Sequence, residues 1–137
     1  LNIKESGIER EAIKTAKKFN VKSFFLLDVE LPFIFQNNKS TNRNISIRYS
    51  EYEPIDIAKK FINNIGWVWI DTFTKLPLNK NIVTTLKKFK SCLVCPERWG
   101  RSKDIKPYFR KMQKINFIPT SVMTAKKYFK TWENLTR

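Results

Sequence analysis

Hydrophobic residues in this chain gather into short runs that stop at a polar side chain. The clearest is Trp67-Val68-Trp69-Ile70, entered from Gly66 and ended by Asp71. It is apolar throughout, which suits a strand of a parallel sheet buried on both faces. Ser23 to Leu27 stops at Asp28, Asn44 to Ile47 stops at Arg48 with Ser50 and Glu51 behind it, and Ser91 to Pro96 stops at Glu97 and Arg98. Leu1 to Ile3 stops at Lys4 and Glu5, and Ile118 to Met123 stops at Thr124. The six runs recur roughly every 21 to 27 residues, which leaves room for a helix between parallel strands. No sequence repeat accompanies them, so the period belongs to the architecture.

The segments between the runs carry helical periodicity. Ser6 is expected to cap a first helix, with Glu9 as its capping-box partner and Ile8, Ala12, Ile13, Ala16 and Phe19 on the buried face. Pro32 suits the first turn of a short helix after Asp28, and the polar stretch from Gln36 to Arg43 reads as a surface loop. Ile57, Ala58, Phe61, Ile62 and Ile65 mark the next helix, which Gly66 is expected to end. Ile82, Val83, Leu86 and Phe89 mark another, and Ile105, Tyr108, Phe109 and Met112 the one after. A closing helix from Ala125 to Asn134 would turn Tyr128, Phe129 and Trp132 inward. At this spacing the aromatics read as core, not as a platform for stacking bases.

A chain of 137 residues that is 42% hydrophobic and 14% aromatic can bury a core of its own, so one α/β domain over residues 1–137 is expected. Twenty-seven Lys and Arg against 12 Asp and Glu leave a net charge of +15, enough to attract phosphate-rich partners or an anionic membrane surface. Lys17, Lys18, Lys59, Lys60, Lys87, Lys88, Lys126 and Lys127 sit at the ends or outer sides of the helical segments, where they would also simply solvate the surface. No apolar run reaches the roughly 18 residues needed to span a bilayer, and the opening segment has no signal-peptide plan. A cytoplasmic protein, at most peripheral at a membrane, is expected. Cys92 and Cys95 form a C-x-x-C, but neither a histidine nor a third cysteine exists to complete a zinc site. An odd offset in an extended run sends the two thiols to opposite faces, so reduced core cysteines are expected.

In parallel α/β architectures ligands lie at the carboxyl edge of the sheet, in the loops that lead to helices. Lys4, Glu5, Asp28, Arg48, Glu51, Asp71, Glu97, Arg98 and Thr124 would therefore converge on one rim. Acids mixed with bases suit an anionic group, held directly or through a metal on the carboxylates. Pro96-Glu97-Arg98-Trp99-Gly100-Arg101 is the most site-like loop, because a guanidinium fork bonds two phosphate oxygens at once; surface ion pairs around Glu97 would explain it equally. An acid and a lysine in Asp71-Thr72-Phe73-Thr74-Lys75 also fit a nuclease, but that spacing is too common to weigh much.

Four stretches carry a resemblance: Leu1-Asn2-Ile3-Lys4; Arg48-Tyr49-Ser50-Glu51-Tyr52-Glu53; Val68-Trp69-Ile70-Asp71-Thr72-Phe73; and Leu93 to Arg101, followed by Val122-Met123-Thr124. Together they resemble the later strands of phosphodiesterases of the glycerophosphodiester phosphodiesterase and phosphatidylinositol phospholipase C type, hydrolases of lipid metabolism. The resemblance implies a parallel-stranded (β/α) barrel of the TIM type, incomplete here, with about six βα units matching strands three to eight. The chain would be the C-terminal part of such a barrel and would associate to complete it. Lys4, Glu51, Asp71 and Glu97 would be catalytic, and Lys4, Arg48, Arg98 and Arg101 would hold the phosphate. Asp28, Glu51 and Asp71 are weak candidates for a divalent cation, Mg or Ca. The ligand would be an anionic phosphodiester, a small molecule or a lipid head group.

Two departures stand beside the resemblance. The family takes its catalytic histidines from its opening strands, and this chain has none; its metal-binding Glu on the third strand is here Asn2, so only Lys4 carries over from that motif. A phosphoric diester hydrolase is thus expected only if an N-terminal part supplied the histidines, and this chain alone would hydrolyse phosphodiesters poorly or not at all. The contrasting expectation is a basic module that grips nucleic acid or another polyanion through its lysines, with strong salt dependence.

Overall fold

A computed structural model describes residues 1–36 and 43–136. Its centre is a four-stranded parallel sheet of β1 (Ser46–Tyr49), β2 (Trp67–Ile70), β3 (Lys90–Val94) and β4 (Ser121–Met123), lying side by side in sequence order. The described residues form six α-helices: α1 (Glu9–Lys18), α2 (Leu31–Gln36), α3 (Ile55–Lys60), α4 (Lys80–Leu86), α5 (Ile105–Lys114) and α6 (Phe129–Thr136). Among the described residues no helix is long and apolar enough to cross a membrane.

The barrel of six βα units implied by the resemblance is not what forms. The described residues hold a sheet of four strands, and β4 pairs with β3 alone, so no ring closes. The first two hydrophobic runs contribute only isolated parallel bridges, Asn2 to Leu27 and Leu26 to Ile45. One reason is local: Asp28 follows at φ 64°, a left-handed conformation that ends the extended backbone immediately. The last run is shorter than expected as well, with three residues in the ladder.

Strands joined in order by right-handed crossovers place their helices on one face of the sheet. Alternation then sorts the side chains. Ile47, Tyr49, Val68, Ile70 and Leu93 belong to the main core with Ile13, Ala58, Phe61, Val83, Leu86, Ile105, Phe109 and Met112 of the helical layer. Arg48, Trp69 and Cys92 fall on the other face, in register with one another across three strands. On that second face Phe25, from the run before β1, packs against Trp67 and Trp69 with ring centres 4.7 and 6.1 Å apart.

Several helix ends differ from expectation. Ser6 does not cap α1: Ile8 holds that position without a side-chain bond, while Glu9 Oε1 accepts from the Gly7 amide at 3.2 Å. Ile13 and Ala16 are buried as expected, but Ile8 and Phe19 are exposed. The helix before β2 stops at Lys60, so Gly66 is not its cap. Gly66 is required for another reason, since a Cβ there would stand 2.0 Å from the carbonyl oxygen of Arg43. The closing helix begins at Phe129, and of its three expected inward aromatics Trp132 is buried while Phe129 is exposed. The loop expected from Gln36 to Arg43 lies, over residues 37–42, outside the described residues.

Cys92 and Cys95 are buried free thiols. Burial pushes both thiols up from their usual range, and for Cys95 the nearby Glu97 adds to the effect. A thiol held protonated and away from solvent is a poor nucleophile. Both are expected to resist iodoacetamide at pH 8 in the folded protein and to alkylate rapidly once guanidinium chloride at about 6 M has unfolded the chain, as mass spectrometry would show.

Candidate functional site

The polar ends of the strands do meet at the carboxyl edge of the sheet, but they divide into three groups. The first is centred on Arg48, the third residue of β1. Register sets it beside Trp69 of β2, and Asp71, two residues beyond Trp69, falls on the same face. The Arg48 guanidinium donates from Nε to Asp28 Oδ1 at 2.7 Å and from Nη2 to Asp28 Oδ2 at 3.1 Å, a bidentate pair. Its Nη1 donates to Asp71 Oδ2 at 3.0 Å, and the Trp69 indole donates to that same oxygen at 2.9 Å. The Arg48 hydrogen bonds hold the Asp28 carboxyl below its usual range, against a smaller opposing effect of burial, with Lys4 and Asn2 helping. Asp71 is 3% exposed, and its Oδ1 is buried without a partner among the described residues.

Beside this network lies a cavity of about 400 Å³. Its charged walls are Arg48, Asp71 and Arg98, its neutral polar wall is Asn2, and its apolar walls include Phe25, Trp69, Phe73, Trp99 and Met123. Arg98 leaves β3 on the turn Pro96–Trp99, which Gly100 closes in the left-handed conformation at φ 74°. Its guanidinium sits 5.7 Å from the centre of the Trp99 ring, and among the described residues it has no carboxylate partner. Trp99 in turn packs on Phe73, with ring centres 4.9 Å apart.

The second group braces the loop after β2. Glu51 Oε1 accepts from the Thr74 amide, from the Thr74 hydroxyl at 2.8 Å and from the Lys75 amide at 3.3 Å. Arg101 grips the loop from the other side, donating to the carbonyls of Thr72 and Phe73, to Asp104 Oδ2 at 2.8 Å and to the Tyr108 hydroxyl at 2.6 Å. Thr72 itself donates to the Val94 carbonyl at 2.9 Å. Glu51 and Arg101 thus hold backbone in place and do not line the cavity. In the third group Glu97 Oε1 accepts from the Thr124 hydroxyl, tying the end of β3 to the end of β4. Lys4 is exposed, close enough to Asp28 to help lower its carboxyl, and outside the cavity wall.

Of the residues selected from sequence, the structure brings Arg48, Asp71 and Arg98 to one cavity, with Asp28 behind Arg48, and sets Lys4, Glu51, Glu97 and Arg101 apart from it. Sequence reasoning missed Asn2, Phe25, Trp69 and Phe73 as walls. The signal for Trp69 was present in its spacing of two from Asp71, which puts an indole and a carboxylate on the same side of a strand.

A divalent cation does not fit the donors present. Both oxygens of Asp28 and Oδ2 of Asp71 are already bonded to the Arg48 guanidinium, which leaves Asp71 Oδ1 as the one unbonded carboxylate oxygen among the described cavity walls, too few for an oxygen-ligated dication unless it displaces the arginine. Glu51 spends one oxygen on the loop after β2 and lines a different part of the surface. Comparison with protein-family models, with curated proteins and with solved structures found no match for this chain.

Proposed function

We propose that the cavity binds the phosphate of a phosphoester, of the glycerophosphodiester type that the sequence resemblance implies, and that it binds without hydrolysing. One observation carries this reading: two guanidinium groups, Arg48 and Arg98, border the same cavity of about 400 Å³ at the carboxyl edge of a parallel sheet. Phosphate is favoured where planar donor forks converge, and the aromatic walls lower the local dielectric and strengthen each bond. Binding without turnover follows from the side chains. The chain has no histidine, and Arg48 holds both oxygens of Asp28 and one of Asp71, so Asp71 Oδ1 is the one unbonded carboxylate oxygen among the described cavity walls and has no second acid–base group to share proton transfer with.

The test is a titration of tryptophan fluorescence with glycerol 3-phosphate and with glycerophosphoethanolamine at low salt, since Trp69 and Trp99 line the cavity. Saturable binding is expected, with Arg98→Ala weakening it at least tenfold, in line with the ~1.5–3 kcal/mol of a hydrogen bond to a charged group. The paired change Lys126→Ala and Lys127→Ala, at exposed positions, should leave it within about twofold. Prolonged incubation with the diester should release no alcohol above background.

The polyanion reading keeps one observation in its favour: Lys17, Lys18, Lys59, Lys60, Lys87, Lys88, Lys126 and Lys127 are all exposed on a chain of net charge +15. It predicts the reverse pattern, with the lysine changes weakening binding to heparin or single-stranded DNA and Arg98→Ala having no special effect. The same charge would draw the protein to an anionic membrane surface, where a lipid head group would supply the phosphoester; a cytoplasmic place of action suits either source.

A further inference from the structure

The cluster behind the cavity holds two carboxylates and one guanidinium, one negative charge in excess, and its geometry says which donors of the guanidinium remain for a ligand. Arg48 reaches both oxygens of Asp28 at 2.7 and 3.1 Å and one oxygen of Asp71 at 3.0 Å, so a single cation bridges two acids that stand at the ends of different chain segments. A guanidinium has five N–H groups. Three of its nitrogens each spend one bond on these carboxylates, which among the described residues leaves one N–H on Nη1 and one on Nη2 without a partner, and the side chain lines the cavity. The remaining polar walls are Asn2, neutral and unable to add a third carboxylate, and Arg98, a second cation.

We propose that Arg48 is the built-in cation of this site: it stands where a divalent ion would have to sit between Asp28 and Asp71, and the phosphoester binds metal-free on its two spare N–H groups together with Arg98. The two acids are then positioning residues. Asp28 fixes the plane of the guanidinium through the bidentate pair, and Asp71, oriented by the Trp69 indole at 2.9 Å, fixes which N–H groups are left over. The ion-binding capacity of the acids is latent, masked by the arginine.

This rests on the phosphoester reading for the ligand, and the experiment separates the two. For the wild type, affinity for glycerol 3-phosphate is measured in EDTA and in about 5 mM Mg²⁺ or Ca²⁺ at matched ionic strength, a range in which weak oxygen-ligand sites fill. The expected ratio is within about twofold; a rise of tenfold or more with either ion overturns the proposal. Thermal denaturation of the unliganded protein gives the second arm. Ca²⁺ should leave the wild-type Tm within about 1 °C, and it should raise the Tm of Arg48→Ala by about 5 °C through binding to the uncovered carboxylates. Arg48→Ala combined with Asp28→Asn should lose that response. A Ca²⁺ response in the wild type as large as in Arg48→Ala, or none in a folded Arg48→Ala, overturns the proposal. Should Arg48→Ala fail to fold, the wild-type measurements decide. Failure of glycerol 3-phosphate to bind under any condition would remove the phosphoester reading while the Tm measurements still judge the masked cation site.

Discussion

Arg48→Met should be the most damaging single change at the site, lowering stability by about 3 kcal/mol at neutral pH and reversing the sign of the acid response. Methionine keeps most of the stem volume, so the loss isolates the charge. The carboxylates left behind are unequal in exposure: the Asp28 side chain is 29% exposed and that of Asp71 only 4%. Asp28 can turn toward water, but among the described residues Asp71 keeps just the Trp69 indole as a donor. Removing one partner of a buried pair costs about 3–5 kcal/mol, and partial exposure of Arg48 argues for the lower end. In the wild type the folded Asp28 carboxyl lies below its unfolded value. Its contribution is therefore complete above the unfolded pKa of about 3.9 and is lost as pH falls through the lower folded value. In Arg48→Met the two carboxylates lose the guanidinium that bridges them, and repulsion between like charges then favours protonation of one, so stability falls as pH rises out of the mildly acid range. Urea midpoints between about pH 3 and 7 would show the wild type losing stability toward acid and the variant gaining it toward mild acid. Parallel curves for the two proteins would show that the guanidinium does not govern these acids.

Gly66→Ala should be nearly as costly, at about 3 kcal/mol, for a reason unrelated to charge. The added methyl would lie 2.0 Å from the Arg43 carbonyl oxygen and 2.8 Å from its carbon, contacts that backbone cannot relieve by a rotamer change. The chain segments that would have to separate are those entering β1 and β2, where the Trp67 amide donates to the Ile45 carbonyl at 3.1 Å. Overpacking costs about 1–3 kcal/mol where side chains can yield, and here the clash is with backbone and its relief would break a ladder bond, so the upper value applies. Chemical denaturation gives the number, and hydrogen exchange should locate the faster opening at the β1–β2 pair. A loss below about 1 kcal/mol would mean that the two segments can part without harm.

The alternation of apolar runs and helical periods was enough to place β1 to β4 and most of the helices, because each strand packs against the strand next to it in sequence and local pattern is a sufficient guide to such a sheet. It was not enough to tell a closed ring from an open sheet. Ring closure depends on what pairs with the outer edges, and Leu1 to Ile3 and Phe25 to Leu27 look as strand-like as the others yet form single bridges. For the site, Arg48, Asp71 and Arg98 were legible as strand-end groups of the right chemistry. What the pattern could not separate was a charged residue facing a cavity from one bracing backbone. Glu51 and Arg101 have the residue types of a catalytic acid and a phosphate clamp, but both are engaged with the amides and carbonyls of residues 72–75, and those contacts appear only in three dimensions.

Strands that lie in the order in which they are made have a bearing on biogenesis. Each βα unit leaving the ribosome would find its pairing partner already present, so β2 can dock on β1 before β3 exists. Such a sheet can be assembled vectorially, without the long wait for a distant segment that slows topologies of high contact order.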